Sequence, residues 1–426
     1  MTGKLIPSPL SPTLSPGAGE RGIYITGLGT VGAYGSGAES LRKVLAASEP
    51  PAPAEVDRSA GYHLAQAPRR ALLLDPALLR EWVPPGEARR MSPPSRFALA
   101  AARMALRCAG LGEGLPDERT GVVISTAFGP SSYSEGLLRQ ILLEGPESAS
   151  PILFMESVAN APAAQIAIAS KARGPSVTIC QREAGALLAV GQAAADVAAG
   201  RVPRALAGTL DEMTPLLHSL LDRFGALARN SGPEGTPHGK QIARPLDRRR
   251  AGFVAAEGAT MLLLEGEERA ASPLARVAAW GSAFDPTAPA VGWGTGSANL
   301  ARSLRRTLDR AGIPLESIDR IVTGASGSRS GDRVEALMLR AAWGERPLPP
   351  VLAPKSVTGE YGGGFLGAAV LAAAGAPFGP TAGFEEPDPE LGVVPHDGSP
   401  LPPPSTVLVT SVAAGGAASW LVLEAP

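Results

Sequence analysis

The 426-residue chain has little of several things that many functions require. It carries only two cysteines, Cys108 and Cys180, in stretches that read as helix and strand interior, so neither a disulfide framework nor a cysteine-based metal cluster is available. A reducing, cytoplasmic setting is expected. Its four histidines, at 63, 218, 238 and 396, lie in polar or proline-rich surroundings, and no spacing puts two of them on one helical face, which argues against a metal site. Charge of neither sign is in excess: 39 basic residues stand against 40 acidic ones, so there is no footprint for nucleic acid or an anionic membrane. Aromatic residues are 4% of a chain that is 44% hydrophobic, so the core must be built from Ala, Val, Leu and Gly, in layers that approach closely.

The first 21 residues hold four prolines and no apolar run, and are expected to be a disordered lead-in rather than a signal peptide. The longest charge-free apolar stretch, 361–384, is long enough to cross a bilayer but contains seven glycines and two prolines, and reads better as a buried glycine-rich loop and helix. Between these limits strands alternate with helices. IYITGLGTVGAYG (23–35) reads as a strand entering a glycine loop, 95–111 as a buried helix, GVVISTAFG (121–129) and PSVTICQ (175–181) as strands, and 184–202 as a helix apolar on all sides. ATMLLLEGEE (259–268) and ARVAAWGSAF (275–284) read as paired strands. The order of elements then repeats with little residue identity, ending in a strand pair over 406–424 that closes the sheet through a Gly-Gly turn. The alternation predicts an α/β fold with an N-terminal half at 22–270 and a C-terminal half at 271–426.

GLGTVG (27–32) matches the glycine pattern of dinucleotide sites, but the acidic residue needed for the ribose about 20 positions on is missing, so a structural glycine turn is the expected role and no cofactor is predicted. The informative stretch is GPSVTICQREAGALLA (174–189). A buried strand here delivers Gln181, Arg182 and Glu183 onto the N-terminus of a buried helix, the kind of elbow that presents nucleophiles in many folds. A carboxylate at that point is a poor acyl acceptor.

This stretch resembles the condensing enzymes of the thiolase fold, the beta-ketoacyl synthases, and so do RPLDRRRAGFVAAEGA (244–259), KSVTGEYGGG (355–364) and TSVAAGGAASWLVLE (410–424). The resemblance implies a duplicated, five-layered α-β-α-β-α architecture. It places the acyl-accepting cysteine of elongating members at Glu183, the first catalytic histidine at Gly324 in TGASGSRSGDRVEA (323–336), and the second at Glu360, while the family's lysine is kept as Lys355. Cys180 falls inside the strand and is expected to be a small buried hydrophobe. Condensation needs a thiolate to hold the acyl chain and imidazoles to stabilise the enolate. With three positions changed, no catalytic residue remains by this comparison, and Glu183 and Glu360 are expected to be protonated or salt-linked to Lys355 or Arg182 in an occluded pocket.

Among such proteins the elbow resembles that of the chain-length factor, the partner of an active ketosynthase in type II polyketide and polyene systems, with Glu183 where a Gln is usual. That resemblance implies a heterodimer with a ketosynthase, transient contact with an acyl carrier protein, and an interface strand at Pro175, Ser176, Val177, Thr178 and Ile179. It also implies a tunnel whose depth sets product length, with Phe128, Tyr133, Ile152, Leu153, Phe154 and Met155 as gate candidates. Plain core or interface packing is the alternative for each of them. Arg248, Arg249 and Arg250 read either as a carrier-protein contact or as a solvated turn with Asp247, the second being preferred. Two other functions stay open: a malonyl-carrier-protein decarboxylase that makes primers, and a homodimeric acyl-binding scaffold.

Overall fold

The computed structural model of the chain describes residues 22–59, 62, 69–112, 119–231 and 240–426. The proline-rich start, His63 and His238 lie outside the described residues. Five strands of the first half are β1 (Ile23–Gly32), β2 (Gly121–Ser125), β3 (Ser176–Ile179), β4 (Arg204–Asp211) and β5 (Gly258–Gly266). Those of the second half are β6 (Ala275–Phe284), β7 (Arg320–Thr323), β8 (Val351–Leu352), β9 (Thr406–Val412) and β10 (Ala417–Glu424).

Within the first half the strands lie in the order β3-β2-β4-β5-β1, and within the second in the order β8-β7-β9-β10-β6. Counted from the start of each half, both orders are 3-2-4-5-1. Strand directions repeat as well: the first three strands of each order run parallel and the last two pairings are antiparallel. A short antiparallel contact, Tyr24 with Arg276 and Ile25 with Ala275, joins the halves into one sheet. The fold is therefore a duplicated α/β unit, as the order of elements implied.

Helices fill the layers. Nine of them, in chain order, are α1 (Gly37–Ala47), α2 (Pro93–Cys108), α3 (Ser131–Glu144), α4 (Pro151–Ser157), α5 (Ala161–Ser170), α6 (Gly185–Ala198), α7 (Ser297–Arg310), α8 (Arg329–Trp343) and α9 (Leu366–Ala373), with shorter or peripheral helices at Pro85–Ala88, Pro215–Arg223 and Lys355–Thr358. α6 and α9 form the middle layer: their Ala, Leu and Val side chains share one cluster with Val123, Ala207 and Leu262 of the first half and Val277, Val407 and Leu421 of the second. α2 and α5 cover the outer face of the first half, and α7 and α8 that of the second. This is the expected five-layered arrangement. Small residues make it compact: every residue of α9 is buried, and a Cβ on Gly191 of α6 would meet the Trp280 ring at 3.0 Å.

Three local expectations change. GLGTVG is neither a dinucleotide loop nor a turn. It lies inside β1, and Cβ atoms on Gly27 and Gly29 would stand 2.1 and 1.9 Å from the carbonyl oxygens of Ala105 and Ala101, so these glycines let the α2 backbone sit directly on the strand. The stretches 259–268 and 275–284 do not pair with each other, because β1 lies between β5 and β6. The final strand pair is real, but it is interior; β8 and β3 are the edges.

Candidate functional site

The elbow forms where β3 ends. Ser176–Ile179 is followed by one turn of 3-10 helix at Arg182–Ala184 and then by α6. Arg182 has φ +43°, a left-handed conformation that a residue with a side chain adopts only under constraint. The constraint comes from the second half. Ser411 of β9 donates to the carbonyl of Glu183 at 2.8 Å, Ser419 of β10 donates to that of Ala184 at 2.8 Å, and Arg182 reaches the carbonyl of Ala414 at 3.5 Å. Both halves thus hold the elbow.

Glu183 stands at the tip. Its Oε2 is buried and accepts no hydrogen bond, although a carboxylate ordinarily draws several. Burial first, and then the charge of Glu360, push its pKa up to about 7, while Lys355 acts in the other direction. Near neutrality the side chain is therefore divided between its neutral and its ionised form.

Lys355 and Glu360 come from the second half. Lys355–Thr358 is a single helical turn ended by Gly359 at φ +71°, and this reversal brings Glu360 back onto the lysine. The Lys355 Nζ to Glu360 Oε2 distance is 2.6 Å, both groups are buried, and the ammonium lies 4.9 Å from the centroid of the buried Phe365 ring. Glu360 Oε1 accepts the Gly362 amide at 2.9 Å. The salt link foreseen for the pocket therefore forms with Glu360, and Glu183 is left outside it. The glycine loop that follows closes over the elbow: a Cβ on Gly362 would lie 2.9 Å from Asp211 Oδ2 and 3.7 Å from the Arg182 carbonyl, and one on Gly363 would strike Thr209 at 2.0 Å.

Gly324 sits beneath the same elbow. A Cβ there would stand 2.7 Å from Ser411 Oγ, the hydroxyl that pins Glu183, so a larger side chain at 324 requires that pin to move. The Gly324 amide donates to Glu335 Oε1 at 3.1 Å, which also takes the Thr410 hydroxyl at 2.6 Å. Asp332 receives the amides of Ser326 and Leu246, so this loop is tied down by carboxylates and carries no imidazole. The two described histidines are engaged elsewhere: His218 Nε2 is 3.1 Å from the Arg70 carbonyl and His396 Nε2 is 3.3 Å from that of Phe378. No group of three or more His, Cys, Asp or Glu among the described residues forms a metal site.

The gate candidates all lie in the segment between β2 and β3. Phe128 is exposed, and its loop is gripped by Asp211, missed in the sequence, whose Oδ1 accepts the Thr126 hydroxyl at 2.6 Å and the amides of Ala127 and Phe128 at 2.9 and 3.1 Å. Burial raises the Asp211 pKa to about 7 despite these donors. Tyr133 is half-buried, its hydroxyl 3.3 Å from the Met91 carbonyl. Leu153 turns in toward Gly136, whereas Ile152, Phe154 and Met155 point outward. Of the interface-strand residues, Pro175 and Ser176 are exposed and Val177, Thr178 and Ile179 partly so, because β3 pairs with β2 alone and lies at the open edge of the sheet. Cys180 is a correction: it is exposed, because it follows an edge strand, and Cys108 is exposed at the end of α2. The arginines of 248–250 pair with Glu386, Glu385 and Asp388 at 2.7, 2.7 and 2.5 Å; Arg249 also lies 3.4 Å from Asp247, the partner expected in a solvated turn, but Arg250 is buried rather than solvated.

With this geometry in place, residues 20–270 match the beta-ketoacyl synthase N-terminal domain and residues 274–375 the corresponding C-terminal domain. The chain belongs to the beta-ketoacyl synthase family. It is 32% identical over 346 residues to the tetracenomycin polyketide synthase ketoacyl synthase beta subunit of Streptomyces glaucescens, covering 78% of this chain and 81% of that one. Its fold superposes on the ishigamide ketosynthase/chain length factor with a TM-score of 0.83 at 28% identity, covering 96% of this chain and all of the other. A type II acyl-carrier protein complex with its ketosynthase bound to the hexaketide gives a TM-score of 0.82 at 23% identity, over 96% of this chain and all of the other, a likeness of fold. The thiolase-type ketosynthase fold of the chain is thereby shown. No single helix among the described residues is long and apolar enough to cross a membrane.

Proposed function

We propose that the chain does not condense acyl units itself, and that it serves as the chain-length factor of an active ketosynthase, walling the tunnel into which the partner's product grows. The observation that carries this function is the elbow. Where a thiolate would have to stand there is a buried carboxyl whose Oε2 receives no hydrogen bond, and the residues beside it are Gly324 and a Lys355–Glu360 ion pair in place of two imidazoles. A carboxylate cannot hold a thioester-derived acyl group and exchange it as a thiolate does, and a second acid beside it disfavours an enolate.

The partner face is supported by a second set of features. β3 is an open edge, and the segment that leads into it from β2 carries the exposed Phe128, Leu138, Leu142, Ile152, Phe154, Met155 and Ile168. An unpaired strand flanked by apolar side chains is suited to strand addition by a large partner surface. The relatives named as a beta subunit and as a ketosynthase/chain length factor pair agree with such an assembly, and the acyl-carrier complex with transient docking of a carrier protein. Both cysteines are free, as in a cytoplasmic protein.

The test is intact-mass analysis. Incubated alone with acyl-loaded carrier protein, the chain is expected to gain no covalent mass and to release no carbon dioxide from malonyl carrier protein. Mixed with the active ketosynthase, it is expected to form a one-to-one complex that makes product. An acyl adduct on the isolated chain sinks the proposal, and carbon dioxide release abolished by Glu183→Ala selects the decarboxylase function instead.

A further inference from the structure

α4 is built inside out. Of its seven residues, the one that is buried is Glu156, whereas Ile152, Phe154 and Met155 are 47%, 63% and 66% exposed. A helix of this length has almost no stability of its own, and its apolar side chains contribute little burial to hold it down. A carboxylate does the holding. Glu156 Oε2 accepts the Ser92 amide at 2.8 Å, the Ser92 hydroxyl at 2.8 Å and the Ser95 hydroxyl at 2.7 Å, and Oε1 accepts Gln165 Nε2 at 2.6 Å. Ser92 and Ser95 are fully buried at the start of α2, the helix packed directly on β1, and Gln165 belongs to α5. The carboxylate thus ties the outward face of α4 to α5 and to the start of the helix that sits on β1.

We infer that Glu156 is a positioning residue for product length: its buried carboxylate sets the height and tilt of the Ile152–Phe154–Met155 plate against the partner, and so where the tunnel ends. The inference rests on the proposed function, in which this plate walls the tunnel. Four donors converging on one carboxylate specify position more sharply than apolar packing does, because each bond is directional. The ends of α4 are held independently. The Ser150 amide donates to Gln140 Oε1 at 2.9 Å, and the Ser134 hydroxyl to the Ser157 carbonyl at 3.1 Å, so loss of Glu156 loosens the helix without releasing it.

The test uses the reconstituted complex of the full chain with its active ketosynthase, acyl carrier protein and malonyl donors, read as product masses together with total turnover and thermal midpoint. Glu156→Gln removes the charge, and it can still accept the Ser92 N–H only by setting its NH2 against Gln165, whose amide must then turn over to accept it. It is expected to keep the one-to-one complex and the melting midpoint, but to cut the fraction of the principal product at least threefold in favour of neighbours differing by two carbons. Glu156→Asp keeps the charge and draws the plate inward. It should restore a single sharp product, displaced by a two-carbon unit or returned to the original. Glu147→Gln, an exposed change nearby, serves as the control and should alter nothing. Unchanged product masses in Glu156→Gln at an unchanged midpoint overturn the inference, and so does equal broadening in Glu156→Gln and Glu156→Asp. If Glu156→Gln does not assemble, the Ser92→Ala/Ser95→Ala pair decides, since it removes two donors and leaves the carboxylate in place: broadening supports the role and unchanged masses overturn it. Phe154→Ala separates the two layers of inference. If it shifts product length and Glu156→Gln does not, the positioning role alone falls; if neither shifts it, the plate is not tunnel wall and the gate proposed for this chain falls first.

Discussion

The two halves share one strand order and one set of directions, yet they treat their edges differently. In the second half, β8 is buried and its outer side is closed: the His396 amide donates to the Val351 carbonyl at 2.8 Å. In the first half, β3 is partly exposed, pairs only with β2, and is reached through residues 126–175, which carry α3, α4 and α5 and most of the large exposed apolar side chains. The corresponding stretch of the second half, 324–350, holds α8 alone, and that helix is well buried. A duplicated unit has therefore kept one copy as a finished wall and left the other unfinished, and the elbow with Glu183 lies at the end of the unfinished edge.

The comparison breaks most completely at β3. The Val122 amide bonds the Pro175 carbonyl and the Thr126 amide that of Ile179, so alternation along the strand turns the backbone of Ser176 and Thr178 to the open side. Thr178→Pro removes an outward N–H while sparing the ladder to β2. It is expected to abolish co-purification with the ketosynthase and leave the isolated chain folded by circular dichroism; retained complex would show that the edge is not the junction.

Next in size is the ion pair at the seam. Lys355→Met and Glu360→Gln each leave the other charge buried without its partner and should each lower stability by about 3–5 kcal/mol in urea titration, whereas the double variant should cost less than either. A double loss equal to the sum of the two would mean that packing, not charge, holds the loop.

A smaller effect distinguishes the elbow acid. Because the folded-state pKa of Glu183 is raised to about 7 from an unfolded value of 4.5, the folded protein binds the extra proton in that interval. Its contribution to stability is therefore lost as pH rises from 4.5 to 7 and stays lost above. Glu183→Gln should remove that slope, so that the variant gains relative to the parent by about 3 kcal/mol between pH 4.5 and 8. Asp211 keeps its own slope in both proteins. A parallel pair of pH profiles would show that Glu183 stays ionised.

The smallest change sharpens the contrast between faces. Phe154→Ala in the isolated chain should move stability by less than about 0.5 kcal/mol, while Leu421→Ala in the shared core costs about 2–5 kcal/mol. A large loss at Phe154 would mean that the outer face is already packed.

Much of this was legible in the chain. The switch from strand to all-apolar helix at 181–185 marks the elbow locally, and the family spacing puts Glu183, Gly324 and Glu360 at one site. The interior of the site was not legible. That Lys355 selects Glu360 over Glu183 depends on the left-handed Gly359, and the grip of Asp211 on the Phe128 loop joins residues about eighty positions apart in sequence. The assumed pairing of β5 with β6 failed for the same reason: β1, from the start of the chain, supplies both neighbours, and no local pattern announces it. Cys180 was misplaced because a strand looks the same in sequence at an edge and in the middle.

The inverted helix has a consequence in time. A polypeptide that displays Phe154 and Met155 before its companion arrives is adhesive from the moment it folds, and the hazard grows with the concentration of unmatched copies. Under the proposed pairing, balanced supply of the two subunits is thus a condition for recovering this one, and an excess of it should show first as turbidity rather than as altered chemistry.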